Sequence, residues 1–212
     1  HSSQELQNIL NIKKGDIYNQ DLLNSRLNMS QDSRDISSLY MDDGYLFFQI
    51  NPVEVLVDND SIDFEIRIYE GKQAIVNKIT LVGNTKTNDR VVMREIRTLP
   101  GQLFSRADII RTQRELSQLR FFDPEKMGVN PQPNPADGTV DIEYTVEERS
   151  SDQVELSGGW GAGRVVGTLG VSFNNFSTRN IFKKSSWSPL PSGDGESLSL
   201  RAQSNGLYYQ SY

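Results

Sequence analysis

Two stretches of the chain place apolar side chains at every second position. Ile62-Asp63-Phe64-Glu65-Ile66-Arg67-Ile68 is one, and Val140-Asp141-Ile142-Glu143-Tyr144-Thr145-Val146-Glu147 is the other. This period-two pattern predicts strands with one wet face. Between such stretches the spacing changes to that of helices. Val92 and Ile96 lie four apart behind Thr87 and Asn88, either of which can cap a helix over 89–98 that Pro100-Gly101 would end. Ser105 with Asp108 resembles a capping box with a shortened acid, and Ile109, Leu116 and Leu119 recur behind it, which predicts a second helix over 105–120. Ahead of both, the β-branched run Lys78-Ile79-Thr80-Leu81-Val82 stops at Gly83-Asn84, a strand and its turn. A weak strand is expected at 122–129, with a proline-rich loop over 123–137. The order is strand, helix, helix, strand, strand: a three-stranded sheet with two helices on one face.

The same parts occur twice. Lys14-Gly15-Asp16-Ile17-Tyr18-Asn19 aligns with Pro100-Gly101-Gln102-Leu103-Phe104-Ser105 at an offset of 86, and the two alternating strands align at an offset of 78, so the first copy holds about eight extra residues between these landmarks. Leu6 and Leu10 match Val92 and Ile96, with Ser2 or Ser3 at the capping position. Residue 1 already lies at the start of this helix, so the chain is expected to begin inside a module that lacks its opening strand.

Beyond Ser150 the pattern turns to strands alone. Val165, Leu169, Val171 and Phe173 oppose Thr168, Ser172 and Asn174; Leu198, Leu200 and Ala202 oppose Ser197, Ser199, Arg201 and Gln203. Gly161-Ala162-Gly163-Arg164 suits a tight turn, and Asn205-Gly206 suits a two-residue hairpin because both positions need positive φ. Alternation over nine or ten residues fits a transmembrane barrel strand and equally a soluble sandwich with one buried face.

Composition adds contrast and exclusions. Residues 151–212 hold only nine charged side chains and nine of the 16 glycines, while the first 150 residues carry a formal charge of −7 within a total of −6. An acidic chain lacks the basic face that nucleic acid requires, so no nucleic acid is expected as partner. With no cysteine, and His1 as the single histidine, thiolate zinc sites and histidine-based triads are excluded within these residues. No nucleophile, base and oxyanion donors can be assembled, and neither an enzyme nor a cofactor is expected. No apolar run reaches the length of a membrane helix.

Strung together, Val82-Gly83-Asn84-Thr85-Lys86-Thr87, Arg94-Glu95, Leu119-Arg120-Phe121-Phe122 and Val146-Glu147-Glu148-Arg149 resemble the barrel-proximal POTRA module of BamA-type outer-membrane assembly proteins, here of a Bacteroidetes-like bacterium. The match covers 74–150, and the first copy extends it to about residue 4. The resemblance implies an α+β fold: POTRA modules (βααββ) at 1–72 and 73–149, then the first antiparallel strands of a transmembrane β-barrel at 150–212. Phe173-Asn174-Asn175-Phe176 and the segment 177–195 look like a barrel strand and its connection in this family. Four strands cannot close a barrel, so the chain is expected to continue past Tyr212.

The function implied is non-enzymatic insertion of client barrels. Unfolded outer-membrane proteins, accessory assembly lipoproteins and outer-membrane lipid are its partners, with the modules in the periplasm. A two-partner secretion transporter and a soluble periplasmic protein-interaction module are the alternatives.

The first barrel strand, Val154-Glu155-Leu156-Ser157-Gly158-Gly159-Trp160, is expected at the seam with the last one, where its glycines either leave few side chains to pack and, by resemblance, client strands add, or merely relieve crowding where the barrel bends. Tyr45-Leu46-Phe47-Phe48 is expected to begin the middle strand of the first module; it serves the core on its plain reading and, if that strand lies at the sheet edge, offers a second strand-addition edge. Asp58-Asn59-Asp60-Ser61 lacks the glycine and glutamate of a calcium loop and reads as a hairpin turn. Glu147 and Glu148 point to opposite faces and read as solvated strand-end charges. Lys183-Lys184 could meet anionic headgroups, but reads rather as a solvated loop.

Overall fold

In the computed structural model the described residues are all except 29, 31, 162, 163, 188, 205–209 and 212. The chain packs as two compact units: residues 1–80 with 97–113 and 129–144, and residues 81–96 with 114–128 and 145–212.

In the first unit, helices α1 (Ser3–Leu10), α2 (Gln20–Leu27) and α3 (Ile36–Asp42) accompany a hairpin of β1 (Gln49–Asp58) and β2 (Ser61–Tyr69). Capping starts the helices. Ser2 Oγ accepts from the Glu5 N–H at 3.2 Å and Asn19 Oδ1 from the Leu22 N–H at 3.0 Å. Leu23, Leu27, Ile36, Tyr40, Phe48 and Ile50 form the buried cluster, with Leu6, Leu10, Phe64, Ile66 and Ile68 packed around it. The alternating residues of β2 thus face inward as their period requires. The β1–β2 turn falls on Asn59-Asp60, with Asn59 at φ 46°, so the Asp58–Ser61 segment is the hairpin expected of it.

Two features of this unit depart from expectation. The second helix is divided, and the residues between α2 and α3 account for the eight that the first copy holds in excess. What makes α3 a separate helix is Asp35. Its carboxylate, 1% exposed, caps α3 by accepting from the Ser38 N–H at 3.0 Å and also takes the Ser38 hydroxyl at 2.6 Å and the Ser30 N–H at 2.9 Å. Burial pushes this carboxyl up, but the bonds from Ser38 and Ser30 outweigh it and hold it below its ordinary range.

The second departure corrects the reading of Tyr45-Leu46-Phe47-Phe48. These residues form the turn ahead of β1, which opens only at Gln49. Gly44 takes φ 92°, the Phe48 N–H returns to the Tyr45 carbonyl at 3.1 Å, and the Phe48 ring stacks on Tyr40 at 4.2 Å. An apolar run of four served the core rather than a strand edge, and its backbone is not extended for strand addition.

The second copy contributes β3 (Ile75–Val82), α4 (Asp89–Met93), α5 (Arg106–Gln118), β4 (Gly128–Asn134) and β5 (Thr139–Thr145), with the sheet in the order β3-β5-β4. Its residues in the first unit bury Ala74, Val76, Phe104, Ile109, Val140, Ile142 and Tyr144. The Tyr144 hydroxyl shares a 2.9 Å hydrogen bond with Thr98 Oγ1. At the start of α5 the Ala107 N–H donates to Asp42 Oδ1 at 2.7 Å and Arg106 donates to Ser38 Oγ at 2.7 Å. Ser105 Oγ takes the Asp108 N–H at 3.2 Å, the forward half of the capping box. A strand was expected before the prolines, but β4 runs through Pro131 and Pro133. This is possible because β4 is an edge strand: prolines two apart turn their nitrogens to one side, where no ladder partner asks for a donor.

The second unit buries Val91, Val92, Ile96, Leu116, Phe121, Phe122 and Val146. Here α4 is shorter than the periodicity predicts. The Glu95 and Ile96 N–H groups bond three residues back, to Val92 and Met93, so the last turn tightens and the helix stops before Leu99-Pro100. The unit continues into a four-stranded antiparallel sheet, β6 (Gln153–Gly161), β7 (Arg164–Phe176), β8 (Glu196–Ser204) and β9 (Gln210–Ser211), in chain order. The turns expected at Gly161–Arg164 and Asn205-Gly206 fall on positions outside the described residues.

Candidate functional site: a sheet edge and the network at its base

The register of the four-stranded sheet separates its two faces. Val154 pairs with Val171 and Val171 with Leu200; Leu156 pairs with Leu169 and Leu169 with Ala202; Phe173 pairs with Leu198. Residues directly opposite share a face. One face is therefore apolar across three strands, and it is open: Val154 is 74% exposed, Leu156 81%, Trp160 78%, Leu169 54% and Leu200 58%.

The other face carries the rows Glu155–Gly170–Arg201 and Ser157–Thr168–Gln203. Arg201 reaches Glu155 Oε1 at 3.2 Å across the intervening β7. Gly170 is what lets it pass, because a Cβ there would stand 3.3 Å from both Glu155 Cβ and Oε2. The sequence pattern predicted the alternation; the ion pair and the reason for Gly170 needed the register.

All seven residues from Val154 to Trp160 lie on β6, and among the described residues β6 is the edge of the sheet, pairing with β7 alone. Gly158 sits opposite Gly167, so two strands meet there with hydrogen atoms for side chains. Backbone N–H and C=O groups of the outer β6 edge face away from β7, the arrangement that accepts an added strand.

Just before β6, Glu148 organises the turn that follows β3. Its carboxylate accepts from the Thr87 N–H at 2.6 Å, the Lys86 N–H at 2.9 Å and the Thr85 hydroxyl at 2.7 Å. Burial pushes Glu148 up, yet the bonds from Thr85, Thr87 and Lys86 outweigh it and hold it below the usual carboxylate range. Its neighbour Glu147 points the other way, onto Lys126. The two do face oppositely, but Glu148 is no solvated strand-end charge: it is a half-buried acceptor for three donors. Strand alternation alone carried no sign of partners more than sixty residues away.

The connection from β7 to β8 is tied to the same turn. Asp194, 8% exposed, takes hydrogen bonds from Asn88 Nδ2 at 2.7 Å and Ser177 Oγ at 2.7 Å and pairs with Arg90. Desolvation raises its pKa, but Ser177, Arg90 and Asn88 together lower it below the ordinary value. Asn175 adds a bond to Thr87 Oγ1 at 2.9 Å, and the Asn88 N–H donates to the Gly193 carbonyl at 2.9 Å. Gly193, at φ 123°, lies so close to this turn that a Cβ would come within 2.7 Å of the Lys86 carbonyl. The first strand of the sheet thus emerges beside a turn fixed by Glu148, Asp194 and Asn175. Among the described residues no group of three acidic or histidine side chains is placed to hold a metal.

Residues 2–71 and 74–149 match the model of one family, POTRA, described as surface antigen variable number repeat. Among curated relatives, the outer membrane protein assembly factor BamA of Neisseria meningitidis serogroup B is 29% identical over 200 residues, 93% of this chain and 22% of that protein. The protein of the same name from Nitratidesulfovibrio vulgaris is 29% identical over 163 residues, 76% of this chain and 20% of that one. The chain therefore spans about a fifth of the length of these relatives. A crystal structure of BamA from Haemophilus ducreyi lacking POTRA domains 1–3 superposes with a TM-score of 0.69 at 21% identity, covering 96% of this chain and 35% of that one. That likeness extends over the helical modules and the four-stranded sheet alike.

Proposed function

Because the chain belongs to the POTRA family, we propose that it works in an outer-membrane β-barrel assembly factor of the BamA type. Modules of about 1–72 and 73–149 would lie in the periplasm, with 150–212 supplying membrane strands. The observation that carries this reading is the exposed apolar face of β6–β8 backed by a polar face with its own ion pair. A soluble sandwich would bury that face, whereas a barrel turns it to lipid and keeps the polar one in a wet lumen. Relatives named for outer-membrane protein assembly support the role.

The working surface on this reading is the β6 backbone from Val154 to Trp160. A client strand adds to it by main-chain hydrogen bonds, and no side chain performs chemistry. Glycines at 158 and 159 weaken β6 through backbone entropy, so this edge exchanges partners more readily than the β7–β8 pair. Unfolded outer-membrane proteins are then the clients, and accessory lipoproteins bind the modules.

Photocrosslinking during client assembly tests the proposal. With a photoreactive residue at Ser157 or Gly159 in the full-length protein, adducts with client barrels are expected, and a residue at Ser199 on β8 should give none. Adducts from β8 equal to those from β6, or none from β6, would remove the edge from the mechanism.

A further inference from the structure

The connection between β7 and β8 holds a surface that neither the modules nor the sheet edge uses. At its tip Phe182 is 95% exposed, with Ile181 at 41% and Trp187 at 46% beside it. A single exposed apolar side chain is ordinary, but three large ones close together form a patch of the kind that marks a contact site. This tip is not a loose tail. The Lys183 N–H bonds to the Asn180 carbonyl at 2.9 Å, the Ser186 N–H to the Lys183 carbonyl at 3.0 Å, and the Ser192 N–H to the Ser186 carbonyl at 3.1 Å. Asn180 Nδ2 braces the Ser192 carbonyl at 2.9 Å, and the Trp187 indole N–H is satisfied by the Ile181 carbonyl at 3.1 Å. The loop's own hydrogen bonds therefore present the three apolar side chains.

Charge identifies what covers them. Arg179, Lys183 and Lys184 are exposed around the rings, and no acidic residue occurs from 179 to 193. The acids near the loop have partners of their own: Asp194 pairs with Arg90, Glu196 takes the Thr178 N–H and hydroxyl, and Asp89, which shares a pocket with Arg179 and Lys183, takes the Asn84 amide. The loop also continues directly from the two strands whose apolar rows end in the Phe173–Leu198 pair, so the tip lies at one end of the sheet's open face. Aromatic side chains flanked by cations at the end of a lipid-facing sheet are the composition of a membrane–water interface.

We propose that the 179–187 tip is a membrane-interface anchor. It inserts Ile181, Phe182 and Trp187 at the level of the lipid headgroups and holds anionic phospholipid phosphates with Arg179, Lys183 and Lys184. The proposal rests on reading β6–β8 as membrane strands. By fixing the loop to the leaflet it also fixes, through Asp194 and Gly193, the turn beside which β6 emerges.

The test uses full-length protein with a single environment-sensitive label at a cysteine replacing Phe182, Ile17 or Leu200. It is reconstituted in phosphatidylethanolamine vesicles with or without phosphatidylglycerol. Ile17 is a control of equal exposure, at 94%, and Leu200 reports on the sheet. The label at 182 should blue-shift and be quenched by nitroxides near the headgroups, the one at 200 by deep nitroxides, and the one at 17 by neither. With phosphatidylglycerol present, R179Q, K183Q and K184Q should each lower the membrane-bound fraction at 182 about fivefold. A water-like signal at 182 beside a buried one at 200 would overturn the anchor and leave the membrane strands standing. A water-like signal at 200 would overturn both. A shift at 182 only after periplasmic proteins are added would assign the tip to a protein partner instead, and indifference to phosphatidylglycerol and to the three substitutions would refute the anionic-headgroup contact.

Discussion

Replacing Gly83 with alanine is expected to destabilise the second module by on the order of 4 kcal/mol, near the upper end of what single substitutions do. The turn after β3 holds Gly83 at φ 102°, and a Cβ there would stand 1.8 Å from the Val146 carbonyl oxygen. No side-chain rotation relieves that contact, because both groups are backbone. The Val146 N–H is meanwhile bonded to the Val82 carbonyl at 2.9 Å, so the approach is part of the sheet's own pairing and cannot open without breaking it. Gly101 serves as the control. It has a comparable φ of 86° with nothing within 4 Å of the added carbon, and Gly101→Ala should cost only the conformational strain, roughly 1 kcal/mol. Pulse proteolysis of the full-length protein across a urea series reads both. Equal midpoints for the two variants would show that the close approach does not govern this turn.

The second large effect is expected at Asp194. Asp194→Ala leaves Ser177, Asn88 and Arg90 without their common acceptor. The guanidinium is half exposed and finds water, and Asn88 keeps its bond to the Gly193 carbonyl, so the loss falls mainly on the buried Ser177 bond and the charge it shared, roughly 2 kcal/mol. The damage is local. Hydrogen exchange at the Asn88 amide, which closes the loop onto the turn through the Gly193 carbonyl, and at the Gly193 amide, which bonds the Asn175 carbonyl, should accelerate about a hundredfold while Ile142 in the central strand stays protected.

Acid should act on the same place. Asp194 and Glu148 both have lowered pKa values, against ordinary values of 3.8 and 4.5, so their contribution is fully present above the ordinary values and is lost as pH falls through the lowered ones. Exchange at Asn88 and Gly193 should be insensitive to pH-driven opening from neutrality to about pH 5 and should rise below that range. Opening that begins near pH 6 would mean that other groups hold the turn.

How far the sequence could be read varied with the range of the interaction involved. The strands Ile62–Ile68 and Val140–Val146 and the helix behind Ser105 were legible because period and cap are local, and the repeat carried the module order from one copy to the other. Prediction failed where a local rule was outvoted. Tyr45–Phe48 has strand composition, but Gly44 and the Tyr40 ring make it a turn. Pro131 and Pro133 argued for a loop, and edge position made room for them. The division of the first module's second helix shows the same limit, since Asp35 looks like any surface acid until its four serine bonds are seen. For the candidate site, the residues of β6 could be named from glycine content and alternation. The partners of Glu148, and Asn88 and Arg90 beside Asp194, could not, because they lie sixty to just over a hundred residues away and no spacing rule reaches that far.

What most directly tests the account is which face of the four-stranded sheet meets lipid. Single spin labels at 154, 156, 169 and 200, and at 155, 157, 168 and 199, in the full-length protein in vesicles would be compared for collision with oxygen, which concentrates in hydrocarbon, and with a water-soluble nickel chelate. Oxygen should dominate at the first four positions and the chelate at the second four, alternating residue by residue along β6. Chelate access at all eight, or the inverse alternation, would contradict a membrane barrel with this face outward.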